Sequence, residues 1–332
     1  MTSRWEEAMA QAAELARQTH PHPNPRVGAV VLNEAGEIVG RGSHVGPGSA
    51  HAEVVALAQA GEGGRGSTVV VTLEPCRHHG RTPPCVDALL GAGVARVVVG
   101  ALDPDPRVQG TGIARLKEEG VEVVMDVGPG EDVDPGYFHH RRTGLPRVTL
   151  KLAATLDGQV AAADGTSRWI TGTEARDDAH RLRAQADAVM VGAGTVIADD
   201  PLLDVRLPDH DGFQPRPVVI VGERPLPGDA RIWARDPLVI ETVGGNLREA
   251  LRVVAGEGLF DLLVEGGPRL ARSLWAENVV DRGVFYFGAM VAGGRGRPLF
   301  EGVWSTLEAA RSVKVNSVTR LGNDLRVDFV LS

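Results

Sequence analysis

At 332 residues the chain is long enough for two domains of ordinary size. Its 43% hydrophobic and 23% charged content is that of a folded globular protein. A net charge of −8 excludes an overall field that would gather nucleic acid, although a local basic pocket for one phosphate is compatible with it.

The first segment reads as a helix. Trp5, Ala8, Met9, Ala12, Leu15 and Ala16 recur at helical spacing, Glu6, Glu7 and Glu14 fall on the other face, and Thr2 or Ser3 can cap it. The start lacks the basic end and unbroken apolar stretch of an export signal, and no apolar run reaches the roughly 18 residues of a membrane span. The expected location is the cytoplasm, with no membrane partner.

A strand at 27–32, a turn at Asn33–Gly36 and a strand at 38–42 predict a hairpin. A helix is expected from His51, a buried strand at 68–73, a helix at 84–90, a strand at 94–99, a helix at 113–119 and a strand at 121–125. This alternation implies an α/β layer architecture with a largely parallel sheet. Residues 127–147 are punctuated by glycine and proline, and predict an interdomain connection whose His139, His140, Arg141 and Arg142 form a solvated face. The expected domains are therefore 1–145 and 146–332.

The second half restarts with a strand at 148–154 and a helix at 173–185 capped by Thr173. Strands follow at 188–191, 218–221, 238–240, 259–264 and 279–287. A closing hairpin pairs 313–319 with 325–331 about Gly322–Asn323. This is again α/β, with an antiparallel edge.

Two features carry chemistry in the first half. The only cysteines, Cys76 and Cys85, each lie near a predicted helix start, and His51-Ala52-Glu53 opens another helix. One imidazole and two thiolates leave a fourth zinc position open, the arrangement of a catalytic zinc site. Glu53, two residues from His51, can reach a metal-bound water without ligating the metal, and so serve as proton carrier. The order His-x-Glu, Pro-Cys, Cys is that of zinc nucleobase deaminases, except that eight residues separate the cysteines here rather than about two.

The intervening segment, Pro75-Cys76-Arg77-His78-His79-Gly80-Arg81-Thr82-Pro83-Pro84-Cys85, resembles the deaminase of riboflavin biosynthesis, as do Pro23–Gly28 and Gly42-Ser43-His44. The resemblance implies a cytidine-deaminase-like three-layer α/β/α domain that binds Zn2+. It also implies substrate contacts from Asn24, His78 and Arg81, the last standing where the family usually carries lysine. His44 and His79 are open to either a site or a structural role.

In the second half, Glu265-Gly266-Gly267-Pro268 joins a strand to a helix, a turn whose free amides suit an anion; it is not the dinucleotide fingerprint of a Rossmann domain. Lys151–Gly158, Ser167–Thr171, Leu182-Arg183-Ala184, Gly192–Val196, Asp199–Leu203, Arg206 and the Glu265 turn together resemble the reductase of the same pathway. That enzyme is similar in fold to dihydrofolate reductase. The resemblance implies an NADPH site lined by Ala153, Trp169, Thr195, Asp199 and the turn of Gly267, Pro268, Arg269, Leu270, Ala271, Arg272 and Ser273. It implies substrate contacts from Ser167, Arg183, Leu203, Arg206 and Glu265, with Lys151 near the reacting carbon. Where the family often carries Asp-Ser-Arg, this chain has Gly222-Glu223-Arg224, which leaves NADPH against NADH open. The loop Gly293–Arg297 is basic and reads as a surface loop.

Together these readings imply deamination of a phosphoribosylamino-pyrimidine followed by reduction of its ribose, with small-molecule substrates and a homo-oligomeric state, dimer or tetramer. The rival is a nucleobase or nucleic-acid deaminase with a noncatalytic C-terminal assembly domain. The acidic balance and 4% aromatic content oppose it, because nucleic-acid surfaces are basic and stacking.

Overall fold

The computed structural model describes residues 4–242, 245–300, 304 and 306–331. It divides into two compact units, residues 1–144 and 145–332.

The first unit runs α1 (Arg4–Arg17), β1 (Gly28–Leu32), β2 (Ile38–Ser43), α2 (Ala52–Ala60), β3 (Thr68–Val71), α3 (Cys85–Ala92), β4 (Arg96–Val99), α4 (Thr111–Glu118), β5 (Glu122–Val124) and α5 (Pro135–Thr143). Ala8, Met9, Ala12 and Ala16 form the buried stripe of α1. The capping residues Thr2 and Ser3 lie outside the described residues.

The sheet order is β2-β1-β3-β4-β5. It is mixed rather than largely parallel, since β1 runs antiparallel to both β2 and β3. The reason is topological. Helical crossovers keep β2, β3, β4 and β5 pointing one way, and the hairpin places β1 between β2 and β3 against that direction.

Pleat alternation makes three layers. Val30, Val70 and Val98 pack with Ala8, Met9 and Ala12 of α1. On the other face Gly42, the partner of Ala29, lets α2 approach so closely that a Cβ there would stand 2.2 Å from the Ala52 carbonyl oxygen. The carboxyl end of β3 delivers Glu74–Cys76, beside the starts of α3 and α4.

The expected solvated linker is instead helix α5, which belongs to the first unit. Asp134 caps it by accepting from the Tyr137 amide at 3.2 Å, Pro135 takes its first position, and Tyr137 and Phe138 are buried. Of the glycines and prolines that suggested a linker, Pro135 and Gly136 fill the first turn of the helix and the others lie outside it.

The second unit runs β6 (Arg147–Thr155), β7 (Gln159–Ala161), α6 (Thr173–Gln185), β8 (Ala188–Gly192), α7 (Ala193–Asp199), β9 (Arg216–Val221), β10 (Leu238–Glu241), α8 (Leu247–Gly256), β11 (Asp261–Val264), α9 (Pro268–Ala276), β12 (Arg282–Gly288), β13 (Arg297–Pro298), β14 (Val313–Leu321) and β15 (Asp324–Leu331). Its main sheet has the order β10-β9-β8-β11-β6-β12-β15-β14. Strands β10 to β12 in that order are parallel, and the hairpin β14–β15 adds the antiparallel edge.

Both faces of the parallel part are buried. Leu150, Met190, Val218 and Leu262 face α8 and α9, while Val189, Val191, Val219 and Leu263 pack with Ala175 and Leu182 of α6. One local expectation changes, and the exposed 293–297 loop gains a definition the sequence did not give it. Gly172, not Thr173, holds the cap position of α6, and the Thr173 hydroxyl accepts from Arg176 at 3.0 Å. The 293–297 segment is tied down: Asp157 accepts from the amides of Ala292 and Gly293 at 3.0 and 2.8 Å, and Arg297 pairs with Ala161 between β13 and β7.

Candidate functional site

In the first unit three elements converge. His51 holds the cap position of α2, Cys76 follows β3, and Cys85 is the first residue of α3. His51 Nδ1 lies 3.0 Å from Cys85 Sγ and 3.5 Å from Cys76 Sγ, and the two sulfurs are 3.5 Å apart. All three ligand atoms fall within 4.8 Å of one another. A tetrahedral zinc with ordinary Zn–S and Zn–N bonds needs such edges to be about 3.6–3.8 Å. The donors therefore fit that ion with a movement of a few tenths of an ångström. The sulfur–sulfur hydrogen bond holds the Cys76 thiol below the ordinary thiol range and Cys85 above it.

Backbone contacts fix this cluster. Glu74, which is buried, accepts from the amides of Gly110 and Gly112 at 2.8 and 3.0 Å, pinning the segment before Cys76 to the start of α4. The Cys85 amide points at Cys76 Sγ, 3.4 Å away.

Glu53 is buried beside the cluster, within hydrogen-bond reach of Cys85. Burial pushes its carboxyl up to about 7, so it can both take and hold a proton near neutrality. Asn24 Nδ2 meets His44 Nε2 at 2.9 Å, and the His44 ring stands edge-on to His51 at 5.1 Å between centroids. His44, whose role was open, is thus buried in the wall of this site. His78 and Arg81 project from the exposed segment between the cysteines.

In the second unit the structure gathers Lys151, Arg183 and Glu265. Arg183 binds the Glu265 carboxylate through Nε at 2.5 Å and Nη2 at 3.1 Å, and Lys151 Nζ lies 3.6 Å from it. Burial opposes the Glu265 charge, but Arg183 and Lys151 outweigh it and hold the carboxyl down to about 2. Arg183 also donates to the Asp204 carbonyl at 2.8 Å, and Arg206 pairs with the Asp204 carboxylate. The two arginines thus meet at one residue. Leu203, next to it, is buried with a φ of 55°.

The other expected positions are spread over the unit. Ala153 lies in β6 and Thr195 is half-buried in α7, while Ser167 is exposed. Arg168 reaches Asp199 at 3.1 Å, and Trp169 is 66% exposed beneath the Arg176 guanidinium. Gly267 caps α9 with Pro268 at its first position. In that turn Pro268 and Ala271 are buried, Leu270 is half-buried, and Arg269, Arg272 and Ser273 are exposed. The side chains of Pro268 and Ala271 face the interior, so a ligand at this turn would meet its amides.

Comparison with known proteins draws the two halves together. The model of the cytidine and deoxycytidylate deaminase zinc-binding region matches residues 2–101, and that of the RibD C-terminal domain matches 146–327. The riboflavin biosynthesis protein RibD of Mycobacterium tuberculosis is 40% identical over 332 residues, covering 98% of this chain and 97% of its own. The chain belongs to the RibD family.

The solved RibD of Acinetobacter baumannii superposes with a TM-score of 0.90 at 34% identity, covering 99% of both chains. A Thermotoga maritima structure described as a diaminohydroxyphosphoribosylaminopyrimidine deaminase/5-amino-6-(5-phosphoribosylamino)uracil reductase matches with the same TM-score and coverage at 32% identity. The RibD family joins a deaminase to a reductase in riboflavin biosynthesis, and this chain carries both halves. A noncatalytic C-terminal assembly domain is therefore not the favoured reading.

Sequence reasoning had no signal for several neighbours within these RibD-type sites. Thr82 faces the far side of the His51 ring, with Oγ1 3.1 Å from Nε2. Asp204 joins the two arginines. The Tyr286 ring lies 5.6 Å from Lys151 Nζ, with its hydroxyl donating to Asp178 at 2.6 Å. Only Thr82 sat inside a motif that had already been singled out.

Proposed function

We propose that residues 1–145 deaminate 2,5-diamino-6-(5-phosphoribosylamino)pyrimidin-4-one, and that residues 146–332 reduce the ribosyl side chain of 5-amino-6-(5-phosphoribosylamino)uracil to ribityl. The observation that carries the reading is the convergence of His51, Cys76 and Cys85 within 4.8 Å, with buried Glu53 beside them.

His51, Cys76 and Cys85 would hold zinc. Zinc supplies Lewis acidity, which lowers the pKa of water to about 7. Glu53 takes a proton from the attacking water and returns protons to the ring nitrogen and the leaving ammonia. The water oxygen replaces the 2-amino group, so atoms and charge balance. Asn24 and His78 orient the pyrimidine, and Arg81 offers its fork to the phosphate.

In the second unit NADPH supplies the two electrons of the reduction. Ala153, Trp169, Thr195, Asp199 and the Gly267–Ser273 turn would line its site, and the free amides at the start of α9 suit a phosphate. Ser167, Leu203, Arg206 and the Arg183–Glu265 pair would hold the substrate, with the Lys151 ammonium as proton donor near the reacting carbon. Small-molecule substrates, a cytoplasmic setting and a homo-oligomer without nucleic acid complete the reading. The net charge of −8 supports the exclusion of nucleic acid.

The test is incubation of the full chain with the diamino-pyrimidine substrate, with and without NADPH, and products identified by mass. Without NADPH the product should be the uracil that has lost one amino group; with it, the ribityl compound. Chelation should stop ammonia release while leaving reduction of added deaminated substrate intact. Absence of the deaminated product from zinc-loaded protein would overturn the first assignment. Absence of NADPH consumption on that product would overturn the second.

A further inference from the structure

The His51 ring is held from both sides. Its Nδ1 faces the two sulfurs at 3.0 and 3.5 Å, and on the opposite edge Nε2 lies 3.1 Å from Thr82 Oγ1. A neutral imidazole carries one proton, so a ring that ligates through Nδ1 must carry its hydrogen on Nε2 and needs an acceptor there. Thr82 is half-buried at that point, and its hydroxyl oxygen has lone pairs to accept with.

We propose that Thr82 is a positioning residue for the metal site, accepting the Nε2–H of His51 and so fixing the tautomer and ring orientation that aim Nδ1 at the ion. The inference rests on the zinc reading of His51, Cys76 and Cys85 given above.

The chain around Thr82 explains why it can do this. Pro83 and Pro84 follow it, each with a fixed φ and no amide hydrogen to satisfy, and Pro84 lies at φ −60° and ψ 139° directly before Cys85. A short stiff link therefore ties the acceptor for one ligand to the next ligand, so that Thr82 and Cys85 are placed as a unit. This also assigns a purpose to the eight-residue spacing between the cysteines. A two-residue spacing has no room for a segment that passes behind the His51 ring and returns to the metal. Partners that orient ligating histidines typically contribute about 10- to 100-fold in metal affinity.

The experiment measures zinc affinity of the full chain by competition with a chromophoric chelator, zinc alone being the probe. Thr82→Val keeps the branched shape and removes the hydroxyl; it should bind zinc about 10- to 100-fold more weakly. Thr82→Ser keeps the hydroxyl and should stay within about 3-fold of the parent, since the loss is a methyl group rather than the hydrogen bond. Nitrogen-15 spectra of the zinc-loaded parent protein test the same bond without any substitution, and should show the His51 proton on Nε2. Zinc binding by Thr82→Val as tight as the parent's, or a proton on Nδ1, overturns the role of Thr82. Failure of the zinc reading itself looks different: the parent protein would bind no zinc, or His51→Ala would leave its affinity unchanged.

Discussion

At Glu53 and Glu265 the same residue type is driven in opposite directions. Glu53 is buried beside a thiol, and among the described residues the pull of His51 does not outweigh its desolvation, so its proton is held up to about 7. Glu265 is largely enclosed too, but a guanidinium and an ammonium keep it ionised down to about 2. The first environment suits proton transfer and the second suits a fixed charge. Glu53→Gln keeps the size and removes the proposed proton carrier, so zinc content measured by atomic absorption should be unchanged while ammonia release falls roughly 10²- to 10⁴-fold. Near-normal release would remove Glu53 from the mechanism.

For Glu265 the folded value lies below the ordinary carboxylate value of about 4.3, so its ionisation stabilises the native state above that pH. The contribution, on the order of 3 kcal/mol by linkage, is lost as pH falls from about 4 towards 2. The stability gap between the parent protein and Glu265→Gln, measured by urea denaturation of the second unit, should therefore narrow between pH 6 and pH 3. A gap that stays constant would show that the charge of Glu265 does not matter to folding.

Among the elements, α5 shows best how one residue organises several segments. Asp134 caps this helix and accepts from the Arg26 amide at 2.7 Å and from His22 Nε2 at 3.0 Å, with the Arg26 guanidinium 3.9 Å away. His22 and Arg26 bracket Asn24, so the helix cap also anchors the loop that carries a proposed substrate contact. Removing one partner of a buried ion pair costs about 3–5 kcal/mol, more than a lost cap alone at about 1 kcal/mol. Asp134→Ala should thus lower stability by about 3 kcal/mol and raise the deaminase KM more than it lowers kcat. A loss below about 1 kcal/mol in urea titrations would mean that Asp134 does no more than cap the helix.

At the scale of the whole molecule, two chemistries sit on two separately built sheets. Each unit buries both faces of the central strands of its sheet, so each has its own core, and the split falls at Gly144, where α5 ends in a left-handed residue. The parallel strands place chemistry at predictable ends. Cys76 follows β3, the Glu265 turn follows β11, and α9 starts directly after it. The mixed order of the first sheet does not disturb this, because β1, the reversed strand, contributes core residues and not ligands.

The amino-acid sequence alone determined most elements and the two-part organisation and singled out the proposed ligand set and proton carrier, because these depend on short-range periodicity and on motifs whose spacing is local. His51, Glu53, Cys76 and Cys85 were legible for that reason, as were the parallel strands with their near-continuous apolar runs. Tertiary structure alone decided the place of β1 between β2 and β3, the helix hidden among the glycines and prolines of 127–147, and the partners of the site residues. Thr82 behind His51, Asp204 between Arg183 and Arg206, and Tyr286 beside Lys151 are contacts between segments far apart along the chain or turned towards each other by the fold. A hydroxyl, a carboxylate or a phenol carries no mark in one dimension of which imidazole, guanidinium or ammonium it will meet in three.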